Sequence, residues 1–166
     1  NTDAIADHHT DTTAWVDGYA YACSDSNTYA DPYSRSNKDT TAPAVTNVNV
    51  TPTTGDGDTI FSVSVTAEDA TGVDSLTLRY NDPQGSTVFF LGSCAGSGGE
   101  AGAYTCSANL TPGTSPLLYE GTYTFDQLAV SDQYGNWAYY KPDGSLDRNN
   151  EPDTTHSLNI PDIDVA

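Results

Sequence analysis

Phe61-Ser62-Val63-Ser64-Val65-Thr66-Ala67 places an apolar residue at every odd position and a hydroxyl at every even one. Successive strand side chains point to opposite faces, so this stretch predicts a strand with one face in a core and one in water. Strand-like sequence continues on both sides. Upstream, Val45, Val48 and Val50 sit in a β-rich run that ends at Thr51-Pro52, before the turn Gly55-Asp56-Gly57-Asp58. Downstream, after Ala70-Thr71-Gly72, Leu76, Leu78 and Tyr80 alternate with Ser75, Thr77 and Arg79. Further strands are expected at Thr87–Leu91, Ala103–Leu110, Gly121–Val130, Trp137–Tyr140 and His156–Ile160. Nowhere do apolar residues recur at helical spacing over three turns. Short strands separated by turn residues at near-regular spacing argue for an all-β sandwich.

The 166 residues suit one domain with an appended segment. Residues 39–166 carry the strand pattern, whereas 1–38 are polar and rich in Asp, Thr, Ser and Tyr. We expect 1–38 to be an irregular arm or linker, with one short hairpin about Asp17-Gly18 between Thr13 and Tyr21. The chain opens on Asn1 and has no Met, which predicts a piece of a longer precursor. No apolar run is long enough to span a bilayer, so direct membrane insertion is not expected.

Five basic residues stand against 23 acidic ones, for a formal net charge of −18. Such a surface repels nucleic acid and anionic lipid, and neither partner is expected. Only Glu68, Glu100, Glu120 and Glu151 are glutamates, so 19 of the acids are aspartates. Asp is a turn residue and a hard oxygen ligand, which points to loops, to calcium or to a solvated acidic surface.

Cys94 and Cys106 flank a Gly/Ser-rich interval short enough to close as a disulfide loop, which suits an oxidising compartment. The alternative is a pair of buried free thiols. Cys23 has no evident partner in the chain.

Three motifs follow one another at domain-like spacing: Asp39-Thr40-Thr41-Ala42-Pro43, Glu68-Asp69-Ala70-Thr71-Gly72-Val73 and Ser131-Asp132-Gln133-Tyr134-Gly135-Asn136. Together they resemble the bacterial immunoglobulin-like and cadherin-like modules of adhesins and of secreted hydrolases. The similarity covers Asp39 to Ile160, including Tyr80-Asn81-Asp82-Pro83-Gln84-Gly85 and the Gly121–Phe125 strand. It implies an immunoglobulin-like Greek-key sandwich, secreted or on a cell surface, whose partners are neighbouring domains of a parent protein. In that arrangement Asp39, Glu68, Asp69, Asp132 and Asn136 converge on one pole, where Ca²⁺ would relieve carboxylate repulsion with oxygen ligands in loose geometry. Asp147, Glu151 and Asp153 could add ligands. The alternative is a negative rim kept apart by solvent, its Asp side chains capping their own turns.

His8 and His9 lie beside Asp7 and Asp11, far in sequence from His156, and lack the spacing of a zinc site. There is no Gly-x-Ser-x-Gly, no Cys beside a His and no His-Glu-x-x-His, and no acid pair stands out for glycoside hydrolysis. We therefore expect no catalytic residues. The main rival reading is a carbohydrate-binding module that stacks Trp137, Tyr139 and Tyr140 on a cell-surface or polysaccharide ligand.

Overall fold

The computed structural model describes residues 39–96 and 100–166. The hairpin expected about Asp17-Gly18, Cys23 and the His8-His9 pair lie outside the described residues. Eleven strands follow in order among those described: β1 (Ala44–Thr51), β2 (Thr54–Gly55), β3 (Phe61–Asp69), β4 (Val73–Asn81), β5 (Thr87–Ala95), β6 (Gly102–Leu110), β7 (Gly121–Asp132), β8 (Trp137–Tyr140), β9 (Ser145–Arg148), β10 (Thr154–Thr155) and β11 (Ile163–Val165). The described residues are all-β, as the alternation predicts.

Two layers result. One sheet has the order β1-β3-β6; the other runs β5-β4-β7-β8-β9-β10, with β11 against the first residues of β7 and β2 parallel to β11. Phe61, Val63, Val65 and Ala67 of β3 and Leu76, Leu78 and Tyr80 of β4 are buried in one core with Tyr123, Phe125, Leu128 and Val130 of β7. Tyr80 stacks on Phe90 at 4.2 Å and meets Phe125 edge-on at 5.9 Å.

One expected strand is corrected. Residues 156–160 are not a strand; the His156 ring is held against the Lys141 carbonyl at 2.9 Å and edge-on to Tyr140. The closing strand is instead Ile163–Val165, whose two apolar side chains are buried. β9 was not anticipated either, because Leu146 is its one apolar residue and Asp147 and Arg148 follow directly.

Three hairpin turns share one geometry, which explains their sequences. In Asp82–Ser86, Asp132–Asn136 and Lys141–Ser145 the first N–H donates to the fifth carbonyl (2.8, 3.0 and 3.0 Å). The glycine at the fourth position adopts positive φ (84°, 82° and 81°), which an L side chain resists.

Strand parity decides which acids reach the interior. Along β3 the inward residues are 61, 63, 65 and 67, so Asp69 continues the inward series and Glu68 falls outside. In β7, Tyr123 and Phe125 point inward, but one extra residue opposes the Arg79–Tyr80 step of β4, because Arg79 pairs with Gln127 and Tyr80 with Phe125. This bulge at Asp126 shifts the inward series to Leu128, Val130 and Asp132. Asp126 is itself paired with Arg79 at 2.8 Å.

The expected Cys94–Cys106 disulfide is formed, joining β5 of one sheet to β6 of the other. Closing this short loop should restrict the unfolded chain by about 3 kcal/mol. The Cys94→Ala/Cys106→Ala variant should therefore unfold at clearly lower urea with an intact fold. An unchanged midpoint would show that the link does not form in the native protein.

Candidate metal centre

β3 and β7 lie in opposite layers, and each ends on an inward-phase aspartate where the apolar core stops. Asp69 is half-buried and Asp132 only 3 % exposed. Asp39 approaches from the segment leading into β1. One carboxylate oxygen from each of Asp39, Asp69 and Asp132 lies within 4.8 Å of the other two. At that separation each like-charged pair costs about 1 kcal/mol even at the dielectric constant of water, and more where solvent is excluded.

Local hydrogen bonds fix each carboxylate. The Thr41 amide donates to Asp39 Oδ1 at 2.9 Å, and the Thr71 amide to Asp69 Oδ1 at 2.7 Å. The Thr71 hydroxyl lies 2.8 Å from Asp39 Oδ2 and 2.7 Å from Asp69 Oδ1, so two acceptors compete for its single proton. Asp132 Oδ1 accepts from the Tyr134 and Asn136 amides, both at 2.8 Å. Asn136, 1 % exposed, sits at the hub. Its amide group donates to Asp132 Oδ2 at 2.6 Å and to the Asp39 carbonyl at 2.9 Å, while its own oxygen accepts from Asn150.

Bonds from the Thr41 amide, and next from the Thr71 hydroxyl, hold the Asp39 carboxyl below its ordinary value. A depressed folded pKa stabilises the fold above the unfolded aspartate value of about 3.9. That contribution disappears as pH falls through the lower folded value. No described cation offsets the triad: Arg79 pairs with Asp126, Lys141 with Asp147 and Arg148 with Glu151.

The five expected ligands thus divide. Asp39, Asp69 and Asp132 converge. Asn136 braces two of them through its N–H groups. Glu68 is corrected: parity turns it to the exposed outer face. Of the return-loop acids, Asp147 is held by Lys141 opposite Tyr139, and Asp153 is exposed. Glu151 reaches the pole but accepts from the Ala42 amide at 3.2 Å and from Arg148. Thr71 and Asn150 were not anticipated; uncharged side chains give no charge-pattern signal.

The donor set suits a hard cation. Three carboxylates supply up to six oxygens, with no sulfur or imidazole among them, the donor chemistry of hard cations rather than of copper or a thiolate zinc site.

The aromatic strand also divides. Trp137 and Tyr139 are half-buried on the outer face and stack at 4.4 Å. Tyr140 cannot offer a ring to a ligand. It is 3 % exposed, and its hydroxyl accepts from the Val45 amide at 2.8 Å, linking β8 to β1 in the other layer. Burial raises its phenol above the ordinary value.

No protein-family model and no curated protein matches this chain. The geometry of the chain itself is therefore what bears on function.

Replacing Asn136 by Ala should destabilise the fold by about 2–3 kcal/mol, since it strips buried Asp132 and the Asp39 carbonyl of a donor. Asn136→Asp should cost more in chelator, because it adds a carboxylate to the cluster. Urea unfolding in EDTA tests both; equal stability of the Asp variant and the native protein would deny Asn136 this role.

Proposed function

We propose that this is a non-catalytic, calcium-stabilised β-sandwich module of an extracellular protein, serving as a spacer or adhesion domain beside neighbouring domains. The observation that carries this reading is the convergence of Asp39, Asp69 and Asp132 from three separate segments onto one pole. A cation shared by the three would tie the segment leading into β1 to the ends of β3 and β7, one in each layer. The three segments at that end would then move as one body.

Several features support an immunoglobulin-like reading of the sheets. The order β1-β3-β6 facing β5-β4-β7-β8 fits a Greek-key sandwich in which β5 has joined the second sheet beside β4. The Tyr123 hydroxyl accepts from the Tyr119 amide at 2.9 Å and donates to the Tyr119 carbonyl at 3.0 Å. Such a corner at the start of a late strand is a hallmark of these folds. The cross-layer disulfide favours an oxidising compartment. The segment entering β1 and strand β11 lie at opposite ends of β7, about 36 Å apart along a 12-residue strand. That separation suits a spacer.

Ca²⁺ bound at a hundredfold excess over Kd should stabilise the fold by about 2.7 kcal/mol, raising Tm by about 5–10 °C. Magnesium should substitute poorly, because it demands a tight octahedron. Asp69→Asn and Asp39→Asn should abolish the response. In EDTA Asp69→Asn should leave Tm equal or higher by relieving repulsion, whereas Asp39→Asn should bring no gain, because the Thr41 amide and Thr71 hydroxyl favour its ionised carboxyl. Melting at constant ionic strength separates binding from screening of the net charge. An unchanged Tm, with no heat of binding by calorimetry, would reduce the pole to a solvated rim.

A further inference from the structure

The two sheets treat their outer faces differently. On the β1-β3-β6 sheet two cross-strand pairs engage outward hydroxyls: Ser62 donates to the Asn109 side-chain oxygen at 2.9 Å, and Thr66 bonds Thr105 at 2.8 Å. On the other sheet Ser75 pairs in register with Ser131 and Thr77 with Ala129, and across β7 Ser131 faces Trp137 and Ala129 faces Tyr139. These small residues form the floor of a hollow of about 250 Å³, and the stacked Trp137–Tyr139 rings form its wall. Among the described residues, no side-chain hydrogen bond engages the hydroxyls of Ser75, Thr77 or Ser131, the Trp137 indole N–H or the Tyr139 phenol.

The face continues past this hollow. The next row pairs Arg79 with Gln127, and a second hollow holds both with Lys141. Phe89, 53 % exposed, lies across from Arg79 on β5. From Ser75 to Arg79 the trough runs about 13 Å, longer than one sugar ring. Its two cations are already matched by Asp126 and Asp147, and Arg79 Nε is buried without a partner.

We propose that this trough binds a neutral linear polysaccharide. The apolar C–H face of a pyranose carries slight positive charge and matches the negative face of an aromatic ring. Its rim of hydroxyls matches the unengaged donors and acceptors of the floor and the planar amide and guanidinium groups of Gln127 and Arg79. Charge excludes the acidic glycans: net −18 repels them, and no described cation is left over to hold a carboxylate or sulfate. Trp137 and Tyr139 are the anchors, and Tyr140 has no part in the site.

The test is affinity electrophoresis of the full chain in native gels cast with hydroxyethyl cellulose, laminarin, dextran or amylopectin, with polygalacturonate as the anionic comparison. At least one neutral glucan should retard the protein. Trp137→Ala should weaken retention by about tenfold or more, the scale expected for an aromatic anchor. Thr77→Tyr fills the floor with a residue that suits an exposed strand, and should abolish retention at unchanged Tm. Retardation by none of the neutral glucans, retardation by polygalacturonate alone, or wild-type retention in both variants would each overturn the proposal. The trough shares no residue with the acidic triad, so this reading and the calcium reading fail separately.

Discussion

Successive side chains on a strand exchange faces, and in a two-layered protein one face is core and the other is water. The position of every polar group is then a matter of odd or even count from the nearest buried neighbour. In β3 that count makes Asp69 the last inward residue and sends Glu68 outward. In β7 it makes Asp132 the last inward residue, and on the neighbouring strand it turns Trp137 and Tyr139 outward while seating Tyr140 in the core. The acidic pole and the aromatic wall are two readings of one parity, made on opposite faces of the same sheet.

An inward aspartate is costly unless its lone pairs are used. The chain meets that cost by placing each acid where a turn begins. Backbone amides two and four residues on point back at Asp132, and the Thr71 amide points back at Asp69. Turn formation and carboxylate placement are therefore one event, and Asn136 then joins the Asp132 turn to the Asp39 segment. What these neutral donors leave standing is the mutual repulsion of three anions, since each described Arg and Lys is paired elsewhere.

Much of this was legible in the sequence. The strict alternation of 61–67 gave strand and face together, and the three acidic turns were visible as motifs whose convergence follows from antiparallel pairing. The exclusion of Glu68 was available from the same alternation, because it follows inward Ala67 directly. Asp132 was less accessible. Counted from Tyr123, it should face outward, and only the extra residue at Asp126 reverses that. A bulge depends on pairing with β4, and no local composition announces it. Tyr140 was misjudged because two adjacent tyrosines look alike in composition while parity gives them opposite environments. The strand at Ser145–Arg148 carries one apolar residue and owes its existence to β8 beside it.

The bulge at Asp126 also bears on how this domain can change in length. Between Leu128 and Asp132, adding or removing one residue would turn Asp132 to solvent and bring Ser131 under the core, undoing the pole and the floor of the trough together. A second length change beyond Asp126 could not repair this, because Tyr123 and Phe125 are already locked to the opposite count by β11 and β4. Relatives of this domain should therefore vary freely in the exposed turns, but keep the interval from Phe125 to Asp132 constant even where its residues have drifted.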